Sequence, residues 1–233
     1  MQPQNQSLAV PVAIVIAGAL IGFAIYMSGR PVSAPVAADP SVPTATEVKM
    51  KPVSANDHIV GSPNADIIIV EYSDTGCPFC KRFHETLKQV MNTYGKEGKV
   101  AWVYRHFPID SLHKNARKEA EATECAAELG GNSAFWKYID RLYEITPSGD
   151  GLNPNQLPVI AEYAGLDRKA FESCLSSGRH AATVQAHYED GLSAGARGTP
   201  YSVLVTKDEK IPITQGALPY ESLKTILDSI LNK

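Results

Sequence analysis

Hydrophobic positions follow three different patterns along the chain. Leu8 to Met27 is a run of 20 residues with no charged side chain. At 1.5 Å per residue it reaches about 30 Å, the thickness of a bilayer's hydrocarbon. Residues 66–72, Asp-Ile-Ile-Ile-Val-Glu-Tyr, are β-branched almost throughout and predict a strand covered on both faces. Phe79, Phe83, Leu87, Val90 and Tyr94 then recur at helical spacing, with Pro78 suited to the first turn and Gly95 to the end. Val100 to His106 predicts a second strand, so the folded part opens β–turn–α–β. From 111 to 195 the pattern is helical, around 112–129, 133–144, 154–164, 168–177 and 181–193. Gly130-Gly131, Pro147 to Gly151 and Ser176 to Gly178 punctuate it. Strands return after Gly198-Thr199-Pro200. Tyr201–Thr206 and Lys210–Thr214 predict a hairpin through Asp208-Glu209, with Pro212 marking an edge. Pro219 starts a last helix whose apolar face is Leu223, Ile226, Leu227 and Ile230.

These patterns divide the chain into a polar tail (1–7), a transmembrane signal-anchor (8–27), a Pro/Ala-rich linker (28–54) and an α/β part (55–110 and 197–233). An all-helical stretch (111–196) is inserted into the last. A cleaved secretory leader, cut near Val36-Ala37-Ala38, is the alternative to the anchor. The run is longer than the usual apolar core of such a leader, about 7–15 residues, and no Lys or Arg precedes it. Arg30 alone, read by the positive-inside rule, places the rest of the chain in the cytoplasm. The cysteine chemistry below outweighs that one residue and favours an extracytoplasmic domain, in the periplasm or at the cell exterior.

Composition removes several classes of function. The 233 residues carry 22 Lys+Arg against 25 Asp+Glu, net −3, with 20% charged and 44% hydrophobic. These values exclude a disordered or collagenous chain and lend nothing to nucleic-acid binding. Four cysteines are too few for a scaffold but enough for chemistry.

Cys77-Pro78-Phe79-Cys80 follows the buried strand and opens a helix. At the helix start, unpaired N–H groups favour an anion, so Cys77 is expected to be an exposed, acidic thiol and the attacking one. Cys80 lies one turn in, on the face of Phe83, Leu87 and Met91. It is expected to be shielded and to resolve mixed disulfides. A zinc site needs four ligands, usually from a second C-x-x-C or a Cys/His pair. Cys125 and Cys174 stand apart on predicted helices, so the redox reading is favoured and no metal ligand is assigned. In an oxidising compartment those two form a structural disulfide; otherwise they are buried free thiols.

The segment Val70-Glu71-Tyr72-Ser73-Asp74-Thr75-Gly76-Cys77-Pro78-Phe79-Cys80, the Tyr104-Arg105-His106-Phe107-Pro108 strand end, the helical block and Gly198-Thr199-Pro200 resemble the DsbA-like thiol–disulfide oxidoreductases. The resemblance covers about 55–233. It implies a thioredoxin fold with an inserted helical domain. It also implies a cis-proline at Pro200, preceded by Thr199 beside the redox pair, and a buried acid at Glu71 that shuttles the proton of the inner cysteine. Period-two alternation independently sets Glu71 on the face of Ile67 and Ile69, which favours burial; a strand-end surface carboxylate is the alternative. One position departs: strongly oxidising members have His where Phe79 stands, and Phe neither donates a hydrogen bond nor adds positive charge. A weaker oxidant is therefore expected.

The implied activity is to introduce or exchange disulfides in unfolded or reduced exported proteins, with a quinone-linked membrane partner reoxidising the pair. No cofactor is needed, because the sulfurs carry the electrons. A reductase or isomerase held reduced by a membrane donor, and a tethered soft-metal module, are the alternatives. Other residues receive plainer readings. His84 reads as a solvated helix-face histidine, and His106 and His113 as packing or capping groups. Trp102 and Trp136 read as core. Tyr72, Phe79 and Tyr201 are either an apolar surface at the site or core.

Overall fold

The computed structural model describes residues 48–147 and 152–232. The expected tail, anchor and most of the linker lie outside the described residues. Among the described residues no helix is long and apolar enough to cross a membrane. Val48 and Met50, inside the stretch read as linker, are buried, so packing begins earlier than its expected end at 54.

Five strands form one sheet in the order β1-β3-β2-β4-β5. They are β1 (His58–Val60), β2 (Ile67–Ser73), β3 (Val100–His106), β4 (Tyr201–Val205) and β5 (Lys210–Ile213). β2 and β3 run parallel and the other pairs antiparallel. The β-branched run is central, as its composition requires, and Pro212 lies on β5, which pairs with β4 alone. β1 escapes the sequence pattern because three residues are too few to show a period.

One face of the sheet carries Ile67, Ile69, Trp102, Tyr104 and Leu204. It packs on helices α1 (Pro78–Val90) and α6 (Tyr220–Leu231) through Phe83, Leu87, Leu223 and Leu227. Glu71 alternates onto this same face. The opposite face carries Val70, Tyr72, Val103 and Val203. It is covered by Ala194 of α5 (Ala181–Ala194) and by Val48 and Met50.

Between β3 and β4 the chain is helical: α2 (Ala116–Ile145), α3 (Leu157–Tyr163), α4 (Arg168–Ser177) and α5. Gly131, at φ 71° and ψ −169°, breaks α2 where the Gly130-Gly131 pair predicts a boundary. α2 starts at Ala116 rather than 112. Residues before it are wound in a turn, with Leu112 and His113 N–H both donating to Ile109 O at 2.9 Å. The insertion has its own core, in which Tyr138, Leu142, Ile160 and Phe171 meet. A sheet interrupted by a helical block is the arrangement the resemblance implied.

Candidate active site

The turn from β2 to α1 is built around Asp74. Its carboxylate accepts from Gly76 N (2.8 Å), Ile109 N (2.7 Å) and His113 Nδ1 (2.9 Å), and its carbonyl accepts from Cys77 N (3.1 Å). His113 crosses so close over the turn that a Cβ on Gly76 would stand 2.6 Å from its own Cβ, so only glycine fits there. Cys77 then takes the cap position of α1 with extended backbone (φ −82°, ψ 120°), and Pro78 begins the helix. The Thr199–Pro200 bond is cis, and the Thr199 carbonyl lies 3.5 Å from Cys77 Sγ. That loop and the turn cover the sulfur. Cys77 is 5% exposed and Cys80 0%, so the outer thiol is nearly enclosed rather than open as expected.

The two free thiols are strongly unequal. Cys77 is lowered from 9.0 to about 6. The hydrogen bond from the Cys80 thiol does most of this against the opposing effect of burial, helped by Thr199 and by the N–H groups of Cys80 and Phe79. Thr199 Oγ1 is buried without another partner, free to turn its proton toward a thiolate. Cys80 is pushed well above its ordinary value, first by burial and then by giving its hydrogen to Cys77 and by the charge of that neighbour. Its sulfur also accepts from Asp74 N at 3.4 Å.

Beneath Cys80 lies a fully buried polar cluster. Glu71 is 0% exposed and is raised from 4.5 to about 7, chiefly by burial. Ser73 Oγ donates to its Oε1 (2.7 Å) and Trp102 Nε1 to its Oε2 (3.0 Å). The Ser73 hydroxyl is 3.0 Å from Tyr143 Oη, which is in turn 3.2 Å from Tyr104 Oη. Glu71 is therefore no surface carboxylate.

The remaining candidates sort as follows. Cys125 and Cys174 are joined in a disulfide between α2 and α4. Phe79 is 54% exposed, off the buried face of α1, with Arg82 over its ring. Tyr72 and Tyr201 are buried core residues. Trp102 and Trp136 pack together in that core, at 2% and 9% exposure. His84 is not solvated: it is fully buried, 2.7 Å from Asp140 and edge-on to Trp102, because α1 presses it onto the sheet and α2. His106 and His58 both meet Glu124 Oε1, at 2.9 and 3.0 Å. Among the described residues, the groupings of three possible metal ligands include neither Cys77 nor Cys80. Reasoning from sequence assigned no site role to Ser73, Asp74, Tyr104 or Tyr143. The first three lie in the segments that carry the resemblance, and Ser73 is also two positions from Glu71 on one face; Tyr143 left no signal.

A family model described as Thioredoxin matches residues 54–229. The chain is 27% identical to Pseudomonas aeruginosa DsbA2, whose crystal structure it matches with a TM-score of 0.65 over 77% of this chain and 97% of that one. Oxidised BdbD from Bacillus subtilis, 20% identical, gives 0.69 over 80% and 99%, a likeness of fold alone. A Rickettsia prowazekii protein named as a protein-disulfide oxidoreductase is 24% identical over 153 residues, 61% of this chain and 51% of its own length. The Na(+)/H(+) antiporter NhaA 3 of Salinispora tropica is 33% identical over 152 residues, 65% of this chain. The chain spans only 22% of that antiporter's length.

Proposed function

Because the chain belongs to the thioredoxin family, among its DsbA-like thiol–disulfide oxidoreductases, we propose that it puts disulfides into exported proteins through Cys77 and Cys80. A substrate thiolate attacks Cys77 Sγ. The Cys77–Cys80 bond breaks and Cys80 leaves as a thiolate that takes up a proton. A second thiolate of the substrate attacks the substrate sulfur of the mixed disulfide, and Cys77 departs as a thiolate. The substrate loses two electrons and the pair gains them. Substrates are unfolded or reduced chains, and a quinone-linked membrane partner restores the disulfide. Leu8–Met27 tethers the domain on the outer side of the membrane. Residues 55–110 and 197–233 carry the redox pair, and 111–196 form the inserted domain.

The observation that carries this reading is the inequality of the two sulfurs, one lowered to about 6 and the other raised. A stabilised Cys77 thiolate makes it the good leaving group in the last step and favours the reduced pair, the property of an oxidant. With the Phe79 side chain adding nothing to that thiolate, the Cys77 pKa of about 6 falls between about 3.5 for a strong oxidant and about 7 for a reductase.

Redox titration and thiol labelling test this. The reduction potential of the pair should lie between about −120 and −270 mV. Iodoacetamide should label Cys77 with a midpoint near pH 6 and spare Cys80. Cys77→Ser should abolish oxidation of a reduced unfolded substrate. A potential at or below about −270 mV makes the protein a reductase. Stoichiometric zinc lost with Cys77→Ser, without thiol exchange in the wild type, overturns the enzymatic reading altogether.

A further inference from the structure

One buried carboxylate gathers histidines from three elements, at a place that neither redox cysteine shares. Glu124 of α2 is 6% exposed. Its Oε1 meets His106 Nε2 of β3 at 2.9 Å and His58 Nε2 of β1 at 3.0 Å. A third imidazole arrives from the far end of the helical insertion. It is His187 of α5, whose Nδ1 accepts from the His106 backbone N–H at 3.4 Å. One ring nitrogen of His106, one of His187 and one oxygen of Glu124 all lie within 4.8 Å of one another. A network that serves packing alone pairs every nitrogen it buries. Here His106 Nδ1 is buried without a hydrogen-bond partner, so no second bond dictates which nitrogen of that ring carries the proton and which the lone pair. His187 is half-buried and also lines a cleft of about 400 Å³ with Asp57, Arg105 and Asp190. The Arg105 charge is matched there by both carboxylates, so the cleft does not repel a cation.

We propose that His106, Glu124 and His187 bind a divalent transition-metal cation of the zinc type, and that His58 orients Glu124 from outside the metal. The donors decide the class of ion. Two imidazoles and a carboxylate suit zinc and its neighbours, whereas calcium and magnesium take oxygen ligands. Ligand atoms about 2.0–2.2 Å from a tetrahedral zinc stand about 3.4 Å apart. His106 and Glu124 already meet at 2.9 Å, so His187 closes the set by side-chain rotation at the wall of the cleft. Three protein ligands leave a fourth position for water, which the cleft supplies. The ligands come from the sheet and from the first and last helices of the insertion. The cation therefore fastens the insertion to the sheet and stabilises the folded chain by mass action.

Equilibrium dialysis of the full chain against zinc chloride, with Cys77–Cys80 held oxidised, reads the site without competing thiols. One zinc per chain should bind and raise the thermal unfolding midpoint. Cobalt in its place should show the visible bands of a nitrogen- and oxygen-bound ion without thiolate charge transfer. His58→Phe keeps the stack on Phe135 but removes the donor to Glu124, and should weaken binding about 10–100-fold, as loss of an orienting partner does. His187→Ala and Glu124→Gln should weaken it at least as much and abolish the thermal shift. His180→Ala, beside the Cys125–Cys174 disulfide, should bind as wild type does. His187 is only half-buried, so His187→Ala tests the ligand set without opening the core. An oxidised wild-type chain with no saturable zinc overturns the site, as does zinc that His187→Ala retains at wild-type affinity. Zinc that binds only after Cys77–Cys80 is reduced belongs to the thiols and overturns it too.

Discussion

Glu71 is a carboxyl group whose burial costs stability, and the sign of that cost can be worked out. Its folded value, about 7, lies above the ordinary 4.5. The folded state therefore binds a proton that the unfolded chain releases, and folding becomes less favourable as pH rises through this window. Below 4.5 both states are protonated and the cost vanishes; above 7 it is complete. A shift of that size is worth about 3 kcal/mol. Glu71→Gln keeps an acceptor for Trp102 and removes the charge. The reduced variant should be more stable than wild type by about 3 kcal/mol at pH 8 and equal to it at pH 4. Urea unfolding at the two pH values checks this, and a pH-independent difference would show that charge burial is not the cause. The residue was legible in the chain because strand alternation alone puts it with Ile67 and Ile69. The environment that fixes its proton was not, since Tyr143 reaches it from a helix 70 residues away through Ser73.

Elements were readable where a period or a breaker marks them. β3 falls on the predicted Val100–His106, and α1 starts at the predicted Pro78. Departures occur where tertiary contacts override a local pattern. Phe79 continues the helical spacing but is 54% exposed, with Arg82 over its ring, and the turn before α2 is spent on bringing His113 to Asp74. Pairing of α2 with α4 is likewise a tertiary matter, closed by Cys125 and Cys174 across 49 residues. Cross-linking a loop of that length restricts the unfolded chain by up to about 4 kcal/mol in the chain-entropy account. Cys125→Ala with Cys174→Ala should lower stability toward that limit while leaving the Cys77 labelling midpoint in place, because the pair sits in the insertion's own core. A loss under about 1 kcal/mol in urea would mean that the helices hold their pairing without the bond.

At the scale of the whole folded unit, one buried side chain joins three distant stretches. Arg105 on β3 donates to Asp57 through Nε (2.7 Å) and Nη2 (3.0 Å), to Asp190 of α5 through Nη1 (2.7 Å), and to the carbonyls of Lys51 (3.1 Å) and Pro52 (3.2 Å). Asp190 also accepts from Lys51 N (2.6 Å) and from Tyr72 Oη (2.5 Å). The segment entering the domain, the central sheet and the last helix of the insertion thus meet on two carboxylates and one guanidinium, a meeting that no local pattern announces. Burial disfavours the Asp57 charge, but Arg105 overcomes it and holds the carboxyl's pKa below the usual range. Stability from that carboxylate is therefore complete above its unfolded value of about 3.8 and is lost as pH falls through the lower folded one. Removing a single partner leaves a buried charge uncompensated, which costs about 3–5 kcal/mol. Asp190→Ala should therefore destabilise by that amount, with Asp190→Asn costing less because its amide oxygen still accepts from Lys51 N. Thermal unfolding of the three proteins at pH 7 decides it. If Asp190→Ala falls within about 1 kcal/mol of wild type, water or Asp57 satisfies Arg105 alone, and the segment before β1 is held by its apolar contacts through Val48 and Met50.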